Sequence, residues 1–396
     1  MLHRVQIKNF RSCENTTVEN IGQLIALIGR NGAGKSNILQ AIAMVSAFGS
    51  SSGQINMALL VPMVPDKHFA AELDFDHEGI EYRFNLQFGF TANGPRPIYI
   101  ESLFRLNNGV PQPLISRSGA DVKIHDREEI IKVGDFVPCL PALATLLPAS
   151  DAGVSELKKI VGFLSTVRYY PIDEPAMRAG PGVPLLASHY NLWLTTFEST
   201  GNPGDSVLAR LVYMSEKRRE DFEILKMWLG QSKLGLIDNI EIEPVKVMVG
   251  GGSGSPGKLE NQLYIINFFP SRGAGLERKA VWAEGLSAGT RRVLKMLVSM
   301  IFDGSAVMLL EQPEDSLHQG LTKKLIGLIQ TNVDSQIIMS SHSSALLNKL
   351  EPENIRLVSL HEGSTVVRPL TEMEREAAVK FLNAEGPLYD FLEPLQ

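Results

Sequence analysis

Eight residues near the amino terminus restrict what this chain can fold into more than any other feature of its sequence. They match the phosphate-binding pattern G-x-x-x-x-G-K-[ST] at every fixed position and are Gly29-Arg30-Asn31-Gly32-Ala33-Gly34-Lys35-Ser36. The apolar run 24–28 before them is typical of a buried strand, and residues 37–48 after them carry apolar side chains at helical spacing. Because the pattern requires a strand before the loop and a helix after it, the sequence predicts a phosphate loop that wraps a nucleotide.

The residue types in this phosphate loop suit a polyphosphate. Glycines allow the backbone to turn its N–H groups toward the phosphates, and the helix that begins near Gly34 adds the positive end of its dipole. We expect Lys35 to bridge the outer phosphates and the Ser36 hydroxyl to bind Mg²⁺. The predicted nucleotide-binding residues around the loop are Arg30, Asn31, Gly32, Ala33, Gly34, Lys35, Ser36 and Asn37.

Charge and cysteine content argue against several classes of protein. The formal net charge of −6 argues against a protein that coats nucleic acid through a basic face, but short basic clusters could still line a local groove or be solvated helix faces. With only Cys13 and Cys139 and no C-x-x-C spacing, we expect neither a disulfide framework nor a zinc site. The sequence has no signal peptide and no run of about 18 apolar residues, so we expect a cytoplasmic protein without a membrane span. The basic clusters are Lys217-Arg218-Arg219, Arg272, Arg278-Lys279 and Arg291-Arg292.

The spacing of apolar residues divides the chain into three predicted parts. Residues 1–126 combine the phosphate loop with β-rich segments separated by turn signals, which predicts an antiparallel meander. Residues 127–234 show longer segments at helical spacing, notably 154–164 and 206–230, around the Pro/Gly-rich stretch 171–184, which predicts a compact helical insertion. Residues 235–396 begin with two strands around the glycine-rich stretch 250–257 and then alternate helix and strand, which predicts a parallel sheet covered by helices. The expected fold class is therefore α/β.

Three further motifs follow the phosphate loop in the chain. They are Leu286-Ser287-Ala288-Gly289-Thr290 at the start of a helix, Val307-Met308-Leu309-Leu310-Glu311-Gln312-Pro313-Glu314 along a strand, and Ser340-Ser341-His342 after another strand. Together with the opening segment Ile7-Lys8-Asn9-Phe10-Arg11-Ser12, this order resembles the ABC-type ATPases of the structural-maintenance, recombination-repair and OLD-like branch. The resemblance is greatest to short stand-alone members, which are often the ATPase half of bacterial phage-defence systems. It covers residues 1–110 and 235–370 and implies an ABC-ATPase head with a mixed sheet around the phosphate loop.

The resemblance implies roles for the residues of these motifs. The segment Ser287-Ala288-Gly289 lies at a predicted helix N-terminus, which is an anion site, and in the family it contacts the ATP bound by the opposite subunit. Two copies would then close around ATP and Mg²⁺ as a homodimer or a higher even oligomer. Glu311 would hold Mg²⁺ directly or through water, and His342 would contact the γ-phosphate or the attacking water. Arg11 matches a family position near the nucleotide, with a solvated surface charge as the alternative.

The residue after Glu311 departs from the family pattern. The family normally has a glutamate here that polarises the attacking water, whereas this chain has Gln312, and Pro313-Glu314 fixes the alignment. A glutamine amide can orient water but cannot accept a proton at neutral pH, and loss of a general base typically costs roughly 10²- to 10⁴-fold in rate. With Gln312 and His342 at the catalytic positions, we expect slow ATP hydrolysis. The sequence leaves open whether Gln312 is natural or was introduced to trap the bound state.

Several functions agree with these motifs. The favoured one is a dimeric ATPase head that signals to a separate effector protein, a nuclease or a toxin. The sequence shows no coiled-coil heptads, and because it ends soon after the predicted closing helix we expect it to lack the Toprim nuclease domain of full-length OLD-like proteins. The alternatives are a repair factor that loads on DNA in its ATP state and a nucleotide-binding subunit of a transporter. The candidate for the family's Mg²⁺-sensing glutamine is Gln87, at the end of a predicted strand.

Overall fold

The chain forms two compact units, each built from separate stretches of sequence. The first comprises Met1–Ile172, Ser305–Pro313 and Asp334–Gln396, and the second comprises Asp173–Gly304 and Glu314–Val333. The structure is a computed structural model, and it describes residues 1–50, 68–90, 97–126, 129–134, 137–148, 152–171, 185–200, 206–248, 260–271, 279–332, 335–384 and 386–395. Among these residues, no helix has the length and apolar character needed to cross a membrane.

A six-stranded sheet carries the phosphate loop in the first unit. Its strands are, in order across the sheet, β10 (Val167–Tyr170), β14 (Val307–Glu311), β15 (Gln336–Ser340), β3 (Leu24–Ile28), β16 (Ile355–His361) and β17 (Ser364–Pro369). All neighbours pair in parallel except β17, which is antiparallel to β16. Every residue of β3, β14 and β15 is buried, as expected for central strands of a parallel sheet covered on both faces. The carboxyl ends of these strands therefore share one edge of the sheet.

The first unit also contains an eight-stranded antiparallel sheet. Its order is β2 (Cys13–Val18), β1 (Leu2–Phe10), β4 (Phe69–His77), β5 (Ile80–Phe90), β6 (Pro97–Asn107), β7 (Val110–Ser118), β8 (Asp121–Ile124) and β9 (Glu129–Lys132). One face is apolar and buried: Val5 and Ile7 on β1, and Phe69 and Leu73 on β4, are fully covered. Strand β1 leads directly into the turn that carries Arg11.

The helices of the first unit complete its core. They are α1 (Lys35–Ser50), α2 (Cys139–Leu146), α3 (Ala152–Ser165), α9 (Ser344–Leu347), α10 (Glu372–Ala384) and α11 (Leu388–Leu392), with short 3-10 helices at Pro352–Asn354 and Glu393–Leu395. Helix α1 begins at the phosphate-loop lysine and buries Ile38, Ile42 and Val45 at helical spacing. Its N-terminus is thereby fixed beside the carboxyl ends of the parallel strands.

The second unit combines helices with a small sheet. Its elements are β11 (Leu185–Leu186), α4 (Ala187–Thr200), α5 (Val207–Lys217), α6 (Arg219–Leu229), β12 (Ile237–Met248), β13 (Glu260–Pro270), a 3-10 helix at Ala283–Gly285, α7 (Ala288–Asp303) and α8 (Gln319–Asn332). The three strands are antiparallel in the order β11-β13-β12. The Tyr213 ring on α5 packs edge-on against Trp193 on α4 and against Phe302 on α7.

The predicted α/β class, with a mixed sheet around the phosphate loop and an antiparallel meander, is confirmed. The three predicted domain boundaries remain predictions. Part of the expected helical insertion lies in the first unit, because α2, α3 and β10 belong to it, and the single helical segment expected at 206–230 is two helices that meet at Arg218. Residues 172–184 of the predicted linker and the glycine-rich stretch 250–257 lie outside the described residues.

Candidate functional site

The phosphate loop connects β3 to α1, and its glycines are required by close contacts. A Cβ atom on Gly29 would lie 1.9 Å from the Val358 carbonyl oxygen, and one on Gly34 would lie 2.0 Å from Thr365 Oγ1. Gly32 and Gly34 also have φ angles of +82° and +99°, in the left-handed region that favours glycine. The loop conformation therefore depends on these residues independently of any ligand.

Lys35 lies inside the loop. Its side chain is buried, and its Nζ atom donates hydrogen bonds to the carbonyl oxygens of Gly29 at 2.6 Å and Arg30 at 2.9 Å. Arg30, Asn31 and Gly32 are exposed. The ammonium group is thus placed within a loop whose tip faces solvent, as a phosphate-binding lysine requires.

Ser36 and Glu311 bring together oxygen atoms that suit Mg²⁺. Glu311 ends strand β14 and is 6% exposed, and its Oε1 atom accepts a hydrogen bond from the Ser36 hydroxyl at the start of α1. Carboxylate and hydroxyl oxygens are ligands that Mg²⁺ prefers, and the cation usually keeps several waters. The donor set fits this metal, with Ser36 and Glu311 as the residues that would hold it.

Tyr169 is a member of this site that the sequence analysis missed. It lies on β10, opposite Leu309 of the parallel neighbour β14, and its hydroxyl donates to Oε2 of Glu311. Burial and, next, the hydrogen bond to Glu311 raise the pKa of Tyr169, so the phenol keeps its proton. The segment Val167–Tyr170, rich in β-branched and aromatic residues before Pro171, was the signal that could have indicated a strand here.

Arg11 contacts side chains of α1. Its Nη1 atom donates to Asn37 Oδ1 at 3.2 Å and to Gln40 Oε1 at 2.6 Å, and Gln40 Nε2 donates to the Tyr169 hydroxyl at 3.1 Å. The structure thereby links two predicted nucleotide-binding residues, Arg11 and Asn37, through side-chain hydrogen bonds. Gln40 is the glutamine in this network, whereas Gln87 lies on β5 of the antiparallel sheet.

A second line of hydrogen bonds supports the phosphate loop from β17. Asn37 Nδ2 donates to Ser12 Oγ at 2.8 Å, Ser12 Oγ lies 2.7 Å from Thr365 Oγ1, and Thr365 Oγ1 donates to the Ala33 carbonyl at 2.9 Å. The sequence analysis does not identify Ser12 and Thr365 as site residues, because Ser12 in the turn after β1 and Thr365 on β17 become neighbours only in the fold.

Gln312 has an unusual backbone conformation. Its φ angle is +41°, and its backbone N–H donates to the Ser340 carbonyl oxygen at 3.0 Å, across the pair β14–β15. A left-handed conformation is costly for a residue with a Cβ atom and tends to be kept at functional positions. Gln312 is half-buried and directly follows Glu311, the last residue of β14, so a costly conformation is found at the edge of the sheet that carries the predicted metal ligand.

His342 follows β15 and is half-buried. Burial and, second, the positive charge of Lys35 lower the pKa of His342 below its ordinary 6.5. The imidazole is therefore neutral at pH 7. Because the folded chain resists protonation of His342 more than the unfolded chain does, its contribution to stability is fully present above pH 6.5 and declines as the pH falls through the lower, folded pKa.

We expect an NMR pH titration to place the His342 midpoint below 6.5, with the resonance assigned by its loss in His342→Asn. In Lys35→Ala the midpoint should move upward, because the nearby positive charge is removed. An unchanged midpoint in Lys35→Ala would show that Lys35 does not influence this imidazole.

The motif Ser287-Ala288-Gly289 lies in the second unit, at the start of α7. Ser287 is the N-cap: its Oγ accepts a hydrogen bond from the Thr290 backbone N–H at 3.1 Å. Ser287 and Ala288 are exposed, and a Cβ atom on buried Gly289 would lie 2.4 Å from the Ser316 carbonyl oxygen. The helix N-terminus is therefore accessible to an anion, and glycine is required behind it.

Known proteins are similar in sequence to a short part of this chain, or in fold to most of it. The "DNA replication and repair protein RecF" of Leptospira biflexa is 37% identical over 83 residues, which are 21% of this chain and 22% of that protein. The structure titled SmcHead bound to the C-winged helix domain of ScpA has a TM-score of 0.49 at 15% identity and covers 96% of this chain and 99% of that one. The SMC head domain from Thermotoga maritima has a TM-score of 0.39 at 14% identity, and that match covers 93% of this chain and 99% of that one. The chain thus spans 22% of the length of the curated relative.

Two family models of ATPase domains also match. The model described as "AAA ATPase domain" matches residues 1–135, which include the phosphate loop. The model described as "AAA domain, putative AbiEii toxin, Type IV TA system" matches residues 206–348, which include Ser287, Glu311 and His342. These matches support nucleotide binding and ATPase activity in general terms.

Proposed function

We propose that this protein is an ATP-operated switch that binds ATP and Mg²⁺ in its first unit, dimerises around them and hydrolyses ATP slowly. The observation that carries the proposal is the juxtaposition of Ser36, next to the buried Lys35, with Glu311 at the strand edge. Lys35 supplies a positive charge for the outer phosphates, and Ser36 and Glu311 supply oxygen ligands for Mg²⁺. The bound cation would neutralise phosphate charge during transfer.

Dimerisation would use the helix N-terminus in the second unit. Ser287 is exposed, caps α7 and follows the order of motifs that the ABC-type resemblance implies. The positive end of this helix suits the γ-phosphate bound by a second copy. In this proposal the nucleotide is held by one copy and covered by the other.

Slow hydrolysis follows from Gln312. In its position after Glu311, an amide orients the attacking water through its carbonyl oxygen and leaves the proton without a strong acceptor. The ATP-bound state would therefore persist for a long time before hydrolysis ends it, as a switch requires.

Equilibrium binding and turnover, measured on the same material, test the proposal. We expect saturable ATP binding that strengthens with Mg²⁺, together with phosphate release much slower than nucleotide exchange. Rapid turnover, or no binding of ATP, would contradict it.

We further propose that the ATP-bound dimer signals to a separate effector, a nuclease or a toxin, in defence against phage. The description of the model that matches residues 206–348 supports this direction, as does the resemblance to stand-alone defence ATPases. Native mass measurement of the chain co-expressed with its operon neighbours should reveal a stoichiometric complex. Recovery of the chain without such a partner would argue against an effector.

The RecF similarity favours a second candidate, an ATP-dependent DNA-binding repair factor. Among its described basic candidates, Lys217, Arg219 and Lys279 are exposed, whereas Arg218 donates to the Phe302 carbonyl, Arg291 donates to the Leu286 carbonyl, and Arg292 pairs with Asp315. Two further candidates, Arg272 and Arg278, lie outside the described residues. Duplex DNA affinity measured with and without ATP at several salt concentrations separates the candidates, because the repair function requires ATP-dependent and salt-sensitive binding.

A further inference from the structure

We propose that Tyr169 is a positioning residue for the Glu311 carboxylate, and that Arg11 and Gln40 fix the direction of the hydrogen bond through which it acts. The inference rests on the proposed function, because it takes Glu311 as the residue that holds Mg²⁺.

The direction of the hydrogen bonds follows from donor chemistry. A guanidinium group can only donate, so the Arg11 contact at 2.6 Å requires Gln40 to present its carbonyl oxygen. The amide nitrogen of Gln40 then faces the Tyr169 hydroxyl at 3.1 Å and must donate to it. The single phenolic proton is left for Glu311, to which Tyr169 donates.

This arrangement restricts the carboxylate. The Tyr169 hydroxyl donates its proton to Oε2 of Glu311, while Oε1 accepts from the Ser36 hydroxyl. The carboxylate is therefore oriented with Oε1 beside Ser36, the other predicted Mg²⁺ ligand. The carboxylate is itself shielded from solvent, since Glu311 is 6% exposed. Partners that hold a ligating carboxylate typically contribute about 10- to 100-fold to metal affinity or activity.

The first test is the affinity for Mn²⁺, used in place of Mg²⁺ and measured by electron paramagnetic resonance on the full chain with a non-hydrolysable ATP analogue. In Tyr169→Phe we expect Mn²⁺ binding about 10- to 100-fold weaker, with unchanged affinity for the analogue in EDTA. Tyr82→Phe is the matched control, because it removes another tyrosine–carboxylate hydrogen bond, the 2.8 Å contact with Glu156, within the same unit. It should bind Mn²⁺ as the wild type does.

The second test reverses the direction of the hydrogen bond. In Gln40→Glu the side chain can only accept, so the Tyr169 proton is drawn away from Glu311. We expect weaker Mn²⁺ binding, whereas simple attraction to an added negative charge predicts tighter binding. This variant keeps the tyrosine and decides the question even if Tyr169→Phe does not fold.

The outcomes separate this inference from the proposed function. If the wild type binds Mn²⁺ with the analogue, and if folded Tyr169→Phe and Gln40→Glu bind it equally well or better, the positioning role is overturned alone. If the wild type binds no Mn²⁺ with the analogue, the proposed function itself is contradicted.

Discussion

Replacing Lys35 with alanine is expected to weaken ATP binding by about 100-fold or more. The side chain is buried in the loop, where its Nζ atom donates hydrogen bonds to the carbonyl oxygens of Gly29 and Arg30. Truncating one member of a buried, hydrogen-bonded charge pair costs roughly 2–5 kcal/mol, and every 1.4 kcal/mol is a factor of about ten in affinity. Isothermal titration with ATP and Mg²⁺ measures the change.

Lys132→Ala is the control for this experiment, because Lys132 is exposed on the edge strand β9 of the same unit. It should leave ATP affinity unchanged, and circular dichroism should show both variants folded. If folded Lys35→Ala binds ATP within about threefold of the wild-type affinity, the loss is at least an order of magnitude smaller than expected. That result would show that the phosphate loop does not form the nucleotide site.

Changing Gln312 to glutamate is expected to raise the rate of ATP hydrolysis by roughly 10²- to 10⁴-fold. A carboxylate at this position can accept the proton of the attacking water, which the amide cannot. The backbone should tolerate the change, because the left-handed φ of +41° concerns the main chain and glutamate has the same shape as glutamine. Phosphate release under single-turnover conditions measures the chemical step.

The matched control is Gln112→Glu, the same substitution at an exposed position of β7, where the side chain accepts a hydrogen bond from Asn107 Nδ2. It should leave hydrolysis unchanged. A rate in Gln312→Glu equal to that of the wild type would refute the assignment of position 312 to the general base.

The phosphate loop and the strand that ends in Glu311 could be predicted because each is specified by consecutive residues. An apolar run of five residues, followed by glycines and a lysine, determines a buried strand and a tight turn within one stretch of chain. The same applies to Ser287, whose capping hydrogen bond to Thr290 is formed within three residues.

The contacts around Glu311 could not be predicted in this way. Tyr169 and Glu311 are 142 residues apart in sequence, and Ser12 and Thr365 are 353 apart. The first pair meets because β10 and β14 become neighbours in one sheet, and the second because the turn after β1 contacts β17, which belongs to another sheet. An order such as β10-β14-β15-β3 is set by packing of the whole unit. The sequence pattern therefore places β10 within a predicted helical region and does not identify Tyr169.

The central claim, that two copies close around ATP, is tested most directly by the molar mass in solution. Light scattering of the wild type with saturating ATP and Mg²⁺ should give twice the monomer mass of 43.5 kDa, and the monomer mass without nucleotide. Ser287→Asp should bind ATP but remain monomeric, because aspartate caps a helix as well as serine does and repels a phosphate. The control Ser199→Asp, at an exposed position of α4, should dimerise normally. A wild type that stays monomeric at saturating ATP, or a Ser287→Asp variant that dimerises fully, would contradict the claim.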